Sequence, residues 1–186
     1  MTQKAIRKLS PRLNVNEGIS MPRYASLPDH IRKALEPIVP SGDDELKYYP
    51  CRVTLRSGVV LDTVYVEPEK PYLRFWGVYP EDDSGKNFVR IEDVLEVEDS
   101  PARLPPQLAN DIYDSGESGM GYTIFTVEFS DGQRQACATG GAVDFIQYPE
   151  RKGPDDVIAV YPHEGRNANP VPAPQWYWCL YSELDQ

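Results

Sequence analysis

The chain has 186 residues with a net charge of −10, 40% hydrophobic and 11% aromatic side chains, and 18 prolines. That length allows one domain or two small ones burying about 70% of the unfolded surface, and the aromatic content excludes wholesale disorder. Proline at about twice the usual 5% disfavours long helices and favours strands, turns and extended connections.

Charge is unevenly spread. Residues 1–36 carry seven basic and three acidic side chains, an excess of four positive charges, which leaves an excess of fourteen negative charges in the remainder. An acidic body repels phosphate backbones and disfavours nucleic acid as a partner, although the basic arm at 1–25 keeps a nucleic-acid-associated alternative in play. Cys51, Cys137 and Cys179 are odd in number and widely spaced, without a CxxC pair, so no metal site is predicted and a reducing, cytoplasmic setting is. No run of 18 apolar residues predicts a membrane span, and no cofactor motif is present.

In chain order, residues 1–25 show no sustained period and read as an extended basic arm. Residues 26–47 hold a short helix and an acidic loop: Ser26 and Asp29 resemble a capping box, Ile31, Ala34 and Leu35 form its stripe, and Pro37 ends it. His30 falls among charged residues there and reads as a surface histidine.

A first β module is predicted at 48–100. Cys51, Val53 and Leu55 alternate with polar residues, Ser57-Gly58 marks a hairpin, and 59–66 returns as a β-branched strand. Further strands are predicted at 72–79, 88–91 and 94–97, with an acidic loop at 81–86. Residues 101–121 form a linking helix and a glycine-rich turn: Pro105-Pro106 suit the helix start, Leu104, Leu108 and Ile112 make an apolar stripe, and Gly116 follows as cap.

A second β module at 122–164 repeats the pattern. Phe125, Val127 and Phe129 alternate, Ser130-Asp131-Gly132 turns, and strands are predicted at 133–139, 142–148 and 157–161. Residues 165–186 are a proline-rich connector and an aromatic final strand. The pairs VTLRSG (53–58) with VEFSDG (127–132), and IEDVLEV (91–97) with PDDVIAV (154–160), suggest one unit built twice. The expected fold is therefore mainly β with minor α: two related small antiparallel barrels or half-sheets joined by a short helix.

The hairpin of 53–61 with the closing IEDVLEV resembles the opening hairpin and last strand of Sm-like and SH3-like small barrels, over about 50 residues per copy. The resemblance implies a fold and no activity, and the loop motifs with which Sm proteins bind RNA have no match here.

Chemistry is sparse. Gly116-Glu117-Ser118-Gly119-Met120-Gly121 follows a helix and precedes a strand, the reverse of a phosphate-binding loop. Met120 replaces the last glycine of a nucleophile elbow. Its first four residues resemble the surroundings of the nucleophile in chymotrypsin-like proteases, yet the upstream histidine would be His30 and no triad assembles. Ser118, His163 and Glu164 are the candidate catalytic residues of a hydrolase alternative, whose test is whether they lie within hydrogen-bond reach. Trp76, Trp176, Trp178 and Tyr181 are the candidate binding residues, although an aromatic tail that docks as a last strand is the favoured reading of 176–181. The function expected is that of a non-catalytic binding or scaffold protein acting on another protein. That includes an acidic inhibitor of a basic partner, with self-association left open.

Overall fold

A computed structural model describes residues 23–42 and 47–183. The elements are α1 (Asp29–Leu35), β1 (Ser41–Gly42), β2 (Lys47–Leu55), β3 (Val60–Pro68), α2 (Glu69–Trp76), β4 (Asn87–Phe88), β5 (Val94–Asp99), α3 (Pro106–Asp114), β6 (Thr123–Phe129), β7 (Arg134–Thr139), β8 (Val157–Pro162), β9 (Val171–Pro172) and β10 (Tyr177–Tyr181). They make a mainly β protein of two sheets, neither closed into a barrel. The arm predicted at 1–25 lies outside the described residues except for its last three.

The first sheet runs β5–β2–β3–β10–β4, with β1 also on β2; the second runs β8–β6–β7–β9. The two share one order of elements. In each, a hairpin (β2–β3, β6–β7) is flanked on its first strand by an antiparallel closing strand (β5, β8) and on its second by a parallel strand (β10, β9). The correspondence extends to single hydrogen bonds. Leu55 N donates to Val59 O at 2.8 Å, as Phe129 N does to Gln133 O at 2.9 Å. Arg56 N donates to Asp93 O, as Ser130 N does to Asp156 O, both at 2.8 Å. A single 3-10 turn, Ile91–Asp93 or Pro154–Asp156, leads into each closing strand.

Each unit also opens with a helix laid on its closing strand, α1 on β5 and α3 on β8. Ile31 and Leu35 enter a core with Val53, Val94 and Val97; Ala109 and Ile112 enter another with Val127, Phe129 and Val157. The helix expected to link two modules is therefore part of the second unit's core. α1 starts at Asp29 behind Pro28, with no side-chain cap, so the capping box read at Ser26 is not made; Asp29 instead places negative charge in the first turn.

Two further expectations are corrected. Residues 72–79 are not a strand: α2 occupies 69–76, because Pro68 precedes it, Pro71 sits in the first turn where no amide is needed, and Gly77 closes it at φ 73°. Tyr72 and Trp76, four apart, form its inner face. Residues 142–148 are irregular backbone, not a strand. Residues 142–146 are all buried, and the segment pairs briefly with the 102–104 connection, Leu104 N donating to Asp144 O at 2.7 Å and Ile146 N to Ala102 O at 3.0 Å. An apolar run reports burial, and burial here is achieved without a ladder. The aromatic tail docks as a strand, as expected: β10 lies inside the first sheet between β3 and β4, and β9 before it adds to the second sheet beside β7.

The units meet through a third cluster that includes Tyr48, Tyr65, Tyr72, Phe145, Trp178 and Leu180. At its centre Asp144 is fully buried and accepts hydrogen bonds from Ser41 Oγ, from Tyr113 OH at 2.7 Å and from Tyr65 OH at 3.3 Å. Burial pushes this carboxyl upward, and the hydrogen bonds oppose the rise. Tyr113 OH also accepts from Tyr48 OH and, at 3.1 Å, from Val143 N. These groups come from β1, β2, β3, α3 and residues 143–144, so one buried carboxyl ties the first sheet to the helix and buried segment of the second unit.

Candidate functional site

The three tryptophans of the chain converge on a cleft of about 390 Å³ beside this junction. Strand alternation sends Trp178 and Leu180 toward the junction and Cys179 and Tyr181 into the core under α1. Trp178 stacks on Tyr65 (ring centroids 5.0 Å, 29° between planes) and meets Tyr72 edge-on at 5.1 Å. Trp76, from the last turn of α2, lies 5.8 Å from Trp178. Trp176 passes over Gly140, where a Cβ would stand 3.6 Å from its ring. Phe75, 65% exposed, sits beside Trp76 at the rim.

Polar groups enter at one wall. Lys86 Nζ stands 4.1 Å from the Trp76 ring centroid and 5.1 Å from that of Tyr72, donates to Tyr72 OH at 3.0 Å, and lies 3.6 Å from Asp83. Burial lowers its ammonium from the ordinary lysine value, with the Asp83 charge opposing. Behind it, Glu67 is fully buried without a hydrogen-bond partner among the described residues. Burial pushes its carboxyl up to about 8, against the pull of Lys86. The buried Trp76 Nε1 is likewise unpartnered there. Asn87 Nδ2 donates to Trp176 O at 3.3 Å and holds that ring's backbone at the mouth. This is an aromatic cage around an ammonium, with one carboxylate beside it and one buried behind.

Of the binding residues read from the sequence, Trp76, Trp176 and Trp178 come together and Tyr181 does not; it is 7% exposed in the opposite core. Sequence reasoning missed Lys86, assigned to an acidic loop, and Glu67. The signal for Glu67 was a carboxylate inside the apolar run VYVEP, on the same strand face as Tyr65.

Ser118 and His163, 45 residues apart, are brought into contact. Ser118 Oγ and His163 Nδ1 are 2.9 Å apart, His163 Nε2 donates to Ser115 O at 3.0 Å, and Ile124 O stands 3.2 Å from Ser118 Oγ as a second acceptor for the serine proton. Ser118 Oγ also accepts from Ile124 N at 2.9 Å, and Arg166 Nη2 donates to Ser118 O at 2.8 Å. Glu164 turns away to Arg134, 3.2 Å from its Nη2. The acceptor on the far side of the imidazole is thus a carbonyl, not a carboxylate, and the bonds around Ser118 fix the entry of β6. His163 holds φ 62°, in the left-handed region that is sparsely populated by residues other than glycine. This turn abuts the aromatic cleft: a Cβ on Gly141 would lie 3.8 Å from Glu117 Oε1 and 4.0 Å from the Trp76 ring. Met120, 99% exposed, projects from its tip.

Among the described residues, no group of three metal-ligating side chains is close enough to hold an ion, and no helix is long and apolar enough to cross a membrane. The three cysteines are buried and unpaired. Compared with protein-family models, curated proteins and solved structures, the chain matches none.

Proposed function

We propose that this is a non-catalytic binding protein that grips a basic segment of a partner protein in the tryptophan cleft. The observation that carries the reading is the state of the cage itself: aromatic faces and a carboxylate already hold one ammonium, that of Lys86. A cationic side chain of a partner that takes the place of the Lys86 ammonium would find the Trp76 and Tyr72 faces and the Asp83 carboxylate with little reorganisation. The excess of negative charge over most of the chain favours approach by a basic partner, and an inhibitor of such a partner is one form this takes. The matched element order of the two sheets supports an internal duplication of a small SH3-like unit. The three unpaired thiols support a reducing, cytoplasmic setting.

The test is photo-crosslinking from position 75 at the rim. A benzophenone side chain there should capture a discrete protein from native extract, with a yield that falls with salt and is lost in Trp176→Ala. Capture that ignores both salt and the tryptophan would sink the reading.

A second reading, a hydrolase, is favoured by the 2.9 Å Ser118–His163 contact alone. It requires covalent labelling of Ser118 by a fluorophosphonate, abolished in His163→Ala. An unlabelled protein removes it.

A further inference from the structure

A second cleft, of about 340 Å³, lies between the units on the side of Arg103. Its walls include Pro37, Leu104, Pro105 and Pro154, and its polar lining includes Arg103, Asp99 and Asp155. The residue to explain is Arg103, 4% exposed yet incompletely bonded. Nη2 donates to Val39 O at 2.5 Å and to Ser41 Oγ at 3.3 Å. Nη1 stands 3.9 Å from the Asp99 carboxylate, beyond hydrogen-bond length, and Nε, sealed from solvent, has no acceptor among the described residues, so Nη1 is the donor left for the cleft. The fully buried Asp144 is bridged to it through Ser41 and feels its charge without a direct hydrogen bond among the described residues. A guanidinium taken out of water with donors unspent is costly unless an anion completes it.

We propose that this cleft binds a small zwitterion, an amino acid with an apolar side chain, its carboxylate on Arg103 and its ammonium toward Asp99 and Asp155. Nη1, still carrying part of the guanidinium charge, suits one oxygen of a carboxylate. The two rim aspartates select against a doubly charged anion such as phosphate and favour a ligand that brings its own cation. The proline walls supply an apolar surface that does not rearrange on binding, and the volume is that of a small-molecule site.

Calorimetric titration of the full chain tests this, with L-phenylalanine and L-leucine as probes and 3-phenylpropanoate, phenethylamine and inorganic phosphate as comparators. Saturable binding of one or both amino acids is expected, with phenethylamine about tenfold weaker or worse for want of the carboxylate. Asp155→Asn should weaken phenylalanine several-fold while leaving phenylpropanoate binding as tight or tighter, a rim change that spares the buried network. Arg103→Lys should abolish binding wherever the variant folds. Met120→Ala, at the exposed tip of the turn beside the other cleft, should leave binding intact. No saturable binding of either amino acid, phenethylamine binding as well as phenylalanine, or loss of binding in Met120→Ala would each overturn the assignment.

Discussion

Lys86 holds its ammonium 4.1 Å from the ring centroid of Trp76, so the cleft has a charged wall built from a residue of the acidic 81–86 loop. Removing that charge tests how far the cage is pre-organised. Lys86→Met should cost about 1–2 kcal/mol of stability, the worth of a partly desolvated cation–π contact. It should also shift tryptophan emission. Chemical denaturation and fluorescence read both; an unchanged midpoint with an unchanged spectrum would show the contact to be incidental.

Glu67 makes stability depend on pH in a predictable direction. Its folded value, about 8, lies above the ordinary 4.5, so the folded state keeps a proton that the unfolded state releases between those two values. Its contribution is therefore full below about pH 4.5 and declines as pH rises toward 8. The charged or titratable groups that act with it are Lys86, which opposes the rise, and the phenols of Tyr72 and Tyr181. Glu67→Gln should be more stable than the parent by a few kcal/mol at pH 8, the gap closing near pH 4.5. Melting curves across that range decide it, and a gap independent of pH would refute it.

Ser118 and His163 should behave as a coupled structural pair. Ser118→Ala strands the Ile124 amide at the start of β6 and should cost about 1–3 kcal/mol. A double-mutant cycle with His163→Ala should give a coupling energy of about 1 kcal/mol, since one shared hydrogen bond is lost in either single variant. Additive effects would mean that the 2.9 Å contact carries no weight.

Gly165 is the glycine whose replacement should be felt most. At φ 100° a Cβ would meet Ala136 Cβ at 2.7 Å and Thr126 Oγ1 at 2.8 Å, with backbone behind. Gly165→Ala should destabilise by about 2–4 kcal/mol, a combination of a forbidden dihedral and overpacking against β6 and β7. Gly132→Ala, strained at φ 84° but in open space, should cost less. Equal losses in the two would assign the cost to dihedral strain alone.

Local order alone determined the mainly β character, both hairpins and the repeated closing strands. Alternation at Cys51, Val53 and Leu55 and at Phe125, Val127 and Phe129, with Gly58 and Gly132 to turn them, is written in neighbouring residues. The helix at 69–76 was misread because Tyr72, Phe75 and Trp76 suit a strand by composition, while the Pro68 start and the Gly77 stop decide for a helix. Only the tertiary structure decided that β10 enters the first sheet beside β3, that the three tryptophans share one cleft with Lys86, and that Ser118 meets His163. These are pairings across tens to more than a hundred residues. Periodicity along the chain says which side of an element is buried and cannot say against what, because the choice of partner is made by the packing of all the faces at once.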